Sequence, residues 1–315
     1  MHLSITDFEN KIDIQNYFQT LNKRLKSNNR LIIDCKRDSI NIFDNKNWLF
    51  KSDLKSLLNL TGFEIITTVN NNIVARRRNN KIKEYSVSII IPAKNEEKNI
   101  KGIVSSIPKF GKSQEIIFVE GGSSDNTWNE ILKTKAKAFK QRGKGKSDAV
   151  RLGLSKAHSD ILMIYDADRT VEAKELKKFY IALSSGIGEF INGSRLVYPM
   201  KKDAMRTLNK IGNICFSYLF TWIFGQNFKD TLCGAKAFFR KNYLTFKKLK
   251  DDPFGDFELI FGAIENNLKV VEIPVHYKER VYGSTNIKRF YHGLLLLKMV
   301  IIAFWQFRIK KSSLR

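Results

Sequence analysis

The chain has 315 residues, 43% of them hydrophobic, and its 55 Lys and Arg outnumber its 31 Asp and Glu, which leaves a formal net charge of +24. This length and apolar content fit one large domain or two of ordinary size and argue against a disordered chain. The positive charge favours anionic partners such as nucleic acid, phosphorylated substrates or anionic lipid, although plain solvation of the surface by lysine is the alternative explanation.

Three scattered cysteines, Cys35, Cys215 and Cys233, form no CxxC motif, and the four histidines show no zinc-ligand spacing. An odd number of unclustered cysteines fits a reducing cytosol better than a disulfide framework. The N-terminus lacks the basic start and apolar run of a signal peptide. The longest apolar stretch, 294–307, is short of the ~20 residues that span a bilayer, so a cytoplasmic location is expected.

Residues 1–80 are predicted to form a small α+β segment of their own. Its expected elements are a strand at 30–35, a helix at 52–60 capped by Ser52, and two paired strands at 63–66 and 72–75. The charged, aperiodic run at 76–84 is interpreted as a linker to the rest of the chain.

The same segment resembles the end of the class I methyltransferase fold. The likeness is carried by Trp48-Leu49-Phe50, by Gly62-Phe63-Glu64 and by the leucines between them. The glycine-rich loop that would hold S-adenosylmethionine is absent from the sequence, so methyl transfer is not expected. A methyltransferase remnant or an accessory docking module is the preferred interpretation.

From residue 85 onward, strands alternate with helices. Strands are predicted at 87–91, 116–119 and 161–165, and helices after Asn95, Thr127 and Ser147. Pro92 is expected to stop the first strand, and Asn95 to cap the helix that follows it. Such alternation implies a mostly parallel sheet covered by helices, with ligands bound beyond the carboxyl ends of its strands.

Asp166 and Asp168 directly follow the third of these strands. Two carboxylates one residue apart at a strand's end can both bind one hard cation, which readily bridges a diphosphate. An Asp-x-Asp motif by itself also occurs in solvated turns. Here polar residues follow the other two strands as well, so a nucleotide-sugar site is the leading hypothesis.

Seven motifs in this order resemble those of family 2 glycosyltransferases of the GT-A type, and most closely their polyprenyl-phosphate branch, typified by dolichyl-phosphate mannosyltransferase. They lie at 89–100, 119–127, 143–146, 166–168, 193–195, 230–238 and 280–286. The resemblance implies an α/β GT-A (nucleotide-diphospho-sugar transferase) fold over 81–289. It also implies an enzyme that moves a sugar from a GDP- or UDP-sugar to a polyprenyl phosphate with inversion.

The resemblance assigns one group of residues to the nucleotide-sugar. They are Pro92, Ala93, Asn95, Glu96, Glu120, Gly122, Asp125, Lys146, Asp166 and Arg280. Glu120 stands where relatives usually carry Asp, which bears on the preference for the donor base. Asp125 is equally well explained as a helix cap, and Lys146 ends a Gly-Lys-Gly-Lys loop suited to touching a diphosphate.

The resemblance also implies that Asp166 and Asp168 hold Mg²⁺ or Mn²⁺, which would stabilise the departing nucleoside diphosphate. Relatives often carry Gln where this chain has Thr170, so the choice of metal stays open. Asp168, Asp230 and Asp256 are the catalytic candidates. The last two would act as a general base if the acceptor were a hydroxyl, because its proton must leave during attack.

Arg195 and Arg206 resemble the arginines that grip the acceptor's phosphate in this branch, with Lys201 and Lys202 nearby. The planar fork of arginine matches phosphate oxygens. A lipid phosphate is already anionic near neutral pH, so it needs no general base. The alternative is a saccharide hydroxyl acceptor in cell-surface polysaccharide synthesis.

Residues 290–315 are predicted to form an apolar helix followed by basic residues. That composition suits the membrane interface, and a peripheral position on the anionic cytoplasmic face is expected. A helix buried against the domain is the alternative. A non-catalytic basic module for membranes or nucleic acid is a remote third hypothesis; no nucleic-acid motif is visible, and no nucleic-acid partner is expected.

Overall fold

The structure, a computed structural model, describes most of the chain. The described residues are 1–8, 13–26, 29–35, 49, 51–78, 83–198, 207–247, 252–280, 282 and 289–310. Their strands form two sheets, one of four strands and one of seven. The predicted boundary near residue 80 falls within 79–82, outside the described residues.

The four-stranded sheet is built from the first part of the chain. Its strands are β1 (His2–Ser4), β2 (Arg30–Asp34), β3 (Phe63–Val69) and β4 (Asn72–Arg77), in the order β1-β2-β4-β3. Strand β1 is parallel to β2, whereas β2 and β3 are antiparallel to β4. Helices α1 (Ile14–Arg24) and α2 (Lys51–Leu60) pack with this sheet around one apolar core. The predicted strand at 30–35 and the hairpin after residue 62 are therefore confirmed.

Helix α1 was not predicted, although its pattern is visible in the sequence. Its buried residues Ile14, Phe18 and Leu21 are spaced i, i+4 and i+7, which is the spacing of a single apolar helix face. The Asp13 carboxylate accepts a hydrogen bond from the backbone N–H of Asn16 at 2.8 Å and caps the helix.

The seven-stranded sheet has the order β11-β9-β10-β8-β5-β6-β7. Its strands are β5 (Ser86–Ala93), β6 (Ser113–Glu120), β7 (Lys137–Lys140), β8 (Ile161–Ile164), β9 (Phe190–Ser194), β10 (Lys236–Phe239) and β11 (Val270–Pro274). Among them, β10 runs antiparallel to both of its neighbours, and the other pairs are parallel. The predicted, mostly parallel sheet is confirmed.

Helices cover both faces of this sheet, as expected for strands that are apolar on both sides. They are α3 (Glu97–Ser106), α4 (Thr127–Leu132), α5 (Lys146–Lys156), α6 (Leu176–Ser184), α7 (Thr207–Phe224), α8 (Arg240–Tyr243), α9 (Phe257–Glu265) and α10 (Arg289–Phe304). In β5, Ile89 and Ile91 belong to a core shared with α3 and α6. Ile90 between them faces a second core shared with α5, α9 and α10.

Three local expectations were wrong. Helix α2 begins at Lys51, so Ser52 lies inside its first turn and is not the N-cap. Strand β5 runs through Pro92 to Ala93. Proline has no N–H to donate, but none is required there, because β8 pairs with β5 only as far as Ile90. Asn95 adopts a φ of +58°, and the N-cap position of α3 is Glu96.

The C-terminal helix α10 continues into a π-helical turn at Trp305–Ile309. The stretch Tyr291–Ile309 has 19 residues and a mean hydropathy of 1.4 and is long and apolar enough to cross a membrane, by length and composition only. The helix is thus longer than the apolar run recognised in the sequence. It packs against α7, where Trp222 stacks on Phe304 with ring centroids 5.7 Å apart.

Candidate active site

The carboxyl ends of β5, β6 and β8 meet at one edge of the seven-stranded sheet. Asp166 and Asp168 follow β8, Glu96 follows β5, and Glu120 is the last residue of β6. All four carboxylates were predicted as site residues, and parallel pairing places them at the same edge.

Asp168 is held by its own loop and by Arg280, which is distant in sequence. Its Oδ1 accepts hydrogen bonds from the Thr170 backbone N–H at 3.1 Å and from the Thr170 hydroxyl at 2.8 Å. Its Oδ2 lies 2.8 Å from Nη2 of Arg280, whose Nη1 lies 3.1 Å from Oε1 of Glu96. Arg280 therefore bridges two carboxylates from different strand ends. Thr170 orients one of these carboxylates.

Glu96 is a buried carboxylate within this bridge. Burial raises its pKa above the ordinary value, while hydrogen bonding by Asn99 and the charge of Arg280 act in the opposite direction. Asn99 donates from Nδ2 to Oε2 of Glu96 at 2.6 Å. The side chain is thus fixed in place before any ligand arrives.

Asp166 belongs to a second group of alternating charges. Nζ of Lys146 lies 2.8 Å from Oδ1 of Asp166 and 3.8 Å from Oδ2 of Asp256. Asp256 also pairs at 2.7 Å with the fully buried Lys236. Burial acts to raise the pKa of Asp166, but the charge and hydrogen bond of Lys146 and the charges of Lys236 and Arg195 together outweigh it, and the pKa lies below its ordinary value. Asp166 is therefore an anion at neutral pH.

Two contributors to this group were not singled out in the sequence, Gly234 and Lys236. A Cβ at position 234 would lie 1.8 Å from Oδ2 of Asp166, so only glycine leaves room for the carboxylate. Lys236 is the first residue of β10, and Ala235 and Ala237 flank it. A lone lysine within an apolar strand is a sequence signal for a buried, paired cation.

The Asp125 carboxylate binds the first backbone N–H groups of both α3 and α4. Its carboxylate accepts hydrogen bonds from the backbone N–H of Thr127 at 3.0 Å and of Glu97 at 3.3 Å, and also from the Thr127 hydroxyl. Burial acts to raise its pKa, but these hydrogen bonds outweigh it, and the pKa is lowered. Of the two interpretations of Asp125, this geometry supports the cap.

The other predicted donor residues line the same loops. Gly122 has a φ of +72° and open space where a side chain would be. Glu120 accepts a hydrogen bond from the Ser123 backbone N–H, and Oδ1 of Asn95 accepts one from Ser124 N–H at 2.8 Å. The Ala93 carbonyl, next to Pro92 in β5, accepts from Gly121 N–H at 2.9 Å. These contacts fix the β5 and β6 loops against each other.

Arg195 and Asp230 form a bidentate ion pair behind this edge. Nε and Nη2 of Arg195 lie 2.7 and 2.8 Å from the two carboxylate oxygens of Asp230, and the Arg195 backbone N–H donates at 3.0 Å. Asn213 and the Leu232 backbone N–H also donate to Oδ1. Five donors on one buried carboxylate favour a positioning role for Asp230 over that of a general base. Arg206 lies outside the described residues.

Asp166 and Asp168 suit a divalent cation by the chemistry of their donors. The Asp166 side chain is 35% exposed and is seated where Gly234 makes room for it. The described residues contain no group of three or more His, Cys, Asp and Glu placed to hold a metal. A cation here would complete its coordination with phosphate oxygens and water, as Mg²⁺ commonly does, and Asp168 would first have to release Arg280.

A helix-covered parallel sheet with paired carboxylates and cations at its carboxyl edge defines a nucleotide-sugar transferase of the GT-A class. The profile of "Glycosyl transferase family 2" matches residues 88–245. The chain belongs to glycosyltransferase family 2, and it is an enzyme of the hexosyltransferase class. The predicted family and enzyme class are thereby confirmed.

Curated relatives include glycosyltransferase AglJ of Haloferax volcanii, which is 31% identical over 205 residues, 64% of this chain and 66% of AglJ. The chain therefore spans just under two-thirds of AglJ. The dolichyl-phosphate hexose transferase of the same organism is 24% identical, covering 68% of this chain and 92% of the relative. The UDP-N-acetylglucosamine–dolichyl-phosphate N-acetylglucosaminyltransferase of Methanococcus voltae is 28% identical, covering 68% and 96%.

Among solved structures, the chain is similar to glucosyl-3-phosphoglycerate synthase of Mycobacterium tuberculosis in complex with Mn²⁺, UDP-glucose and phosphoglyceric acid. The TM-score is 0.56 at 16% sequence identity, and the match covers 70% of this chain and 80% of the other. This likeness confirms the predicted GT-A fold.

Proposed function

We propose that the protein transfers a sugar from a nucleotide-diphosphate sugar to a polyprenyl phosphate, with inversion and with a divalent cation at Asp166 and Asp168. The observation that carries the choice of acceptor is the state of the two candidate bases. Asp230 is saturated by Arg195 and its other donors, and Asp256 is paired with Lys236 at 2.7 Å. Neither is poised to take a proton from a hydroxyl, whereas an ionised phosphate has no proton to lose.

The relatives' names support the same acceptor. A dolichyl-phosphate hexose transferase and a dolichyl-phosphate N-acetylglucosaminyltransferase both align over most of their own length with 68% of this chain. The second uses UDP-N-acetylglucosamine by name, so UDP-sugars are the first donors to test, followed by GDP-sugars.

In the proposed reaction the donor diphosphate lies over Asp166 and Asp168. Lys146 and Arg280, now paired with these carboxylates, shift toward the diphosphate oxygens and bind them. Mg²⁺ or Mn²⁺ held by Asp166 and Asp168 would supply Lewis-acid stabilisation of the diphosphate's charge. Glu96 holds Arg280 within reach of the donor, and Thr170 does the same for Asp168.

The acceptor phosphate then attacks the anomeric carbon from the face opposite the diphosphate. A new carbon–oxygen bond forms to the lipid phosphate while the bond to the diphosphate breaks, and the nucleoside diphosphate leaves with the electron pair. Arg195 is the proposed ligand of the acceptor phosphate, oriented by Asp230 and by the Tyr277 ring 5.2 Å from its guanidinium carbon. Positioning and charge stabilisation supply most of the catalysis in such a step.

A large exposed apolar surface supports a peripheral membrane location. We call it the α7–α10 surface; its residues are Tyr218, Leu219, Trp222, Tyr291, Leu294, Leu297, Ile301, Phe304, Trp305 and Ile309, between 38% and 68% exposed. Only 28% of the stretch 291–309 is buried. Arg308 and Lys310 lie over the rings of Trp222 and Trp305. Aromatic and basic residues on one apolar face suit the headgroup region of an anionic, cytoplasmic leaflet.

The test is transfer by the purified chain to polyprenyl phosphate, with polyprenol of the same length as the control acceptor. We expect release of nucleoside diphosphate that requires both the lipid phosphate and Mg²⁺ or Mn²⁺ and stops on addition of chelator. Transfer to polyprenol or to a free saccharide at a comparable rate would contradict the proposed acceptor. Activity that survives chelation would contradict the metal.

A further inference from the structure

Two side chains contact the Arg195 guanidinium, and the residue that precedes each of them is linked to the first part of the chain, Lys229 directly and His276 through Tyr198. One is the Asp230 carboxylate, and the other is the Tyr277 ring. Their neighbours are Lys229 and His276. We call residues 1–78 the N-terminal module.

The first contact is a buried ion pair. Nζ of Lys229 pairs with Oδ2 of Asp53, which lies in helix α2 of the N-terminal module. Both residues are buried. The Lys229 backbone is fixed as well, because its N–H donates to Oε2 of Glu272 at 2.7 Å and its carbonyl accepts from the Ser217 hydroxyl at 2.6 Å. The residue that precedes Asp230 is thus tied to the N-terminal module through its side chain and to Glu272 and Ser217 through its backbone.

The second contact is a stack of two rings. The Tyr198 ring lies 4.2 Å from that of His276 with an angle of 4° between the planes. Nδ1 of His276 lies 2.9 Å from Oε1 of Glu175, which holds the imidazole in place. Tyr198 and Val197 are buried within the apolar core of the N-terminal module. The segment that carries Arg195 thus enters that core two residues later, at Val197.

We infer that the N-terminal module is a positioning element for the acceptor site: its contacts through Asp53 and Tyr198 hold Arg195 in the orientation that binds the acceptor phosphate. This rests on the proposed function. The donor carboxylates are bound directly by Lys146, Thr170 and Arg280. The segment of His276 and Tyr277 also touches their loop, because Tyr277 forms a β-bridge with Val171, and Lys278 N–H donates to the Thr170 carbonyl at 2.7 Å. Loosening the module should therefore raise KM for the acceptor more than KM for the donor.

Tyr198 offers a sharp test, because its hydroxyl has no hydrogen-bond partner among the described residues. Tyr198→Phe keeps the ring stack and should behave as the unmodified chain. Tyr198→Leu removes the stack and should raise KM for polyprenyl phosphate about tenfold or more. Its KM for the nucleotide-sugar, and the binding of nucleoside diphosphate with Mn²⁺, should stay within about twofold of the unmodified chain.

Two further variants separate positioning from loss of stability. Phe18→Leu makes a space in the core of the N-terminal module but removes neither contact, and it should lower the melting temperature without raising KM for the acceptor. His276→Ala breaks the same stack from the other side at a partly exposed residue. It should reproduce the acceptor defect even if Tyr198→Leu does not fold.

Suppose that the unmodified chain is active on polyprenyl phosphate and that a folded Tyr198→Leu or His276→Ala variant keeps its KM for this acceptor. That result overturns this inference and leaves the proposed function standing. An equal rise in Phe18→Leu also overturns it, because the effect would then be general destabilisation. If the unmodified chain transfers nothing to polyprenyl phosphate, the proposed function falls, and this inference falls with it.

Discussion

Arg280 pairs at 2.8 Å with the carboxylate of Asp168, which the proposed cation also needs. Lys146 likewise pairs with the carboxylate of Asp166, the other proposed cation ligand. The charge of each carboxylate is balanced within the protein before the donor binds. In the proposed reaction the carboxylates would exchange one positive partner for another on binding of the diphosphate and its cation, and Lys146 and Arg280 would be free to bind the phosphates.

Removing Arg280 should separate metal binding from catalysis. Arg280→Ala is expected to strengthen Mn²⁺ binding in the absence of nucleotide, because no cation then competes for Asp168. It should also lower kcat/KM by about a hundredfold, because the diphosphate loses a positive partner. Mn²⁺ titration calorimetry and steady-state kinetics measure the two effects.

Lys278→Ala is the matched control, since this lysine lies two residues away on the same segment and its side chain is 64% exposed. It should change neither quantity. Weaker Mn²⁺ binding by Arg280→Ala would show that the arginine helps to build the cation site and does not compete for it.

Gly234→Ala should disable the site while the fold persists. The added Cβ would lie 1.8 Å from Oδ2 of Asp166, so the carboxylate must move, and misplacement by about 1 Å can cost on the order of a hundredfold in rate. Gly212→Ala in α7 is the control, because nothing lies within 4 Å of its added Cβ. That variant should keep its activity and gain up to about 1 kcal/mol of stability from helix propensity. Full activity of Gly234→Ala would remove Asp166 from the mechanism.

Stability should decline as the pH is lowered, in part through Asp230. Burial acts to raise the pKa of this carboxyl, but the charge and hydrogen bonds of Arg195 and the hydrogen bond from Asn213 together outweigh it, so the folded-state pKa lies below the ordinary value. Between the folded and unfolded pKa values the unfolded chain binds more protons, so acid favours unfolding. The contribution is complete above about pH 4 and is lost as the pH falls through the folded pKa.

Melting temperatures of the chain and of Asp230→Asn between about pH 7 and pH 3 test this dependence. The variant should be less stable at neutral pH, because Arg195 loses its charged partner, and its stability should fall less steeply in acid. Parallel curves for the two proteins would mean that Asp230 contributes nothing to the acid transition.

Membrane binding should depend on the α7–α10 surface. Replacing Trp222, Leu294 and Trp305 together by Ser removes exposed apolar groups, and binding to vesicles of anionic lipid should fall at least about tenfold, since each buried side chain of this size contributes roughly 1.5–3 kcal/mol. Leu244→Ser, at a residue that is 66% exposed elsewhere on the protein, should leave binding unchanged. Co-sedimentation with vesicles measures both. Equal binding by the triple variant and the unmodified chain would place the membrane contact elsewhere.

The sequence alone was sufficient for the family, for the alternation of strands and helices after residue 85, and for the placing of Asp166 and Asp168 at a strand's carboxyl end. These features are local: a strand's apolar run, the polar residues that follow it and the order of motifs are all written along the chain. Helix α1 was also within reach, since its apolar spacing is regular.

The tertiary structure alone decided which charges meet. Arg280 lies 112 residues from Asp168, and Lys236 is 20 from Asp256, and nothing in local composition says that a given cation will reach a given acid. The pairing of Asp230 with Arg195 and the packing of Tyr198 into the N-terminal module are of the same kind. Local patterns determine where each element lies, because backbone and hydrophobic preferences act over a few residues, whereas ion pairs depend on the approach of elements far apart in the chain.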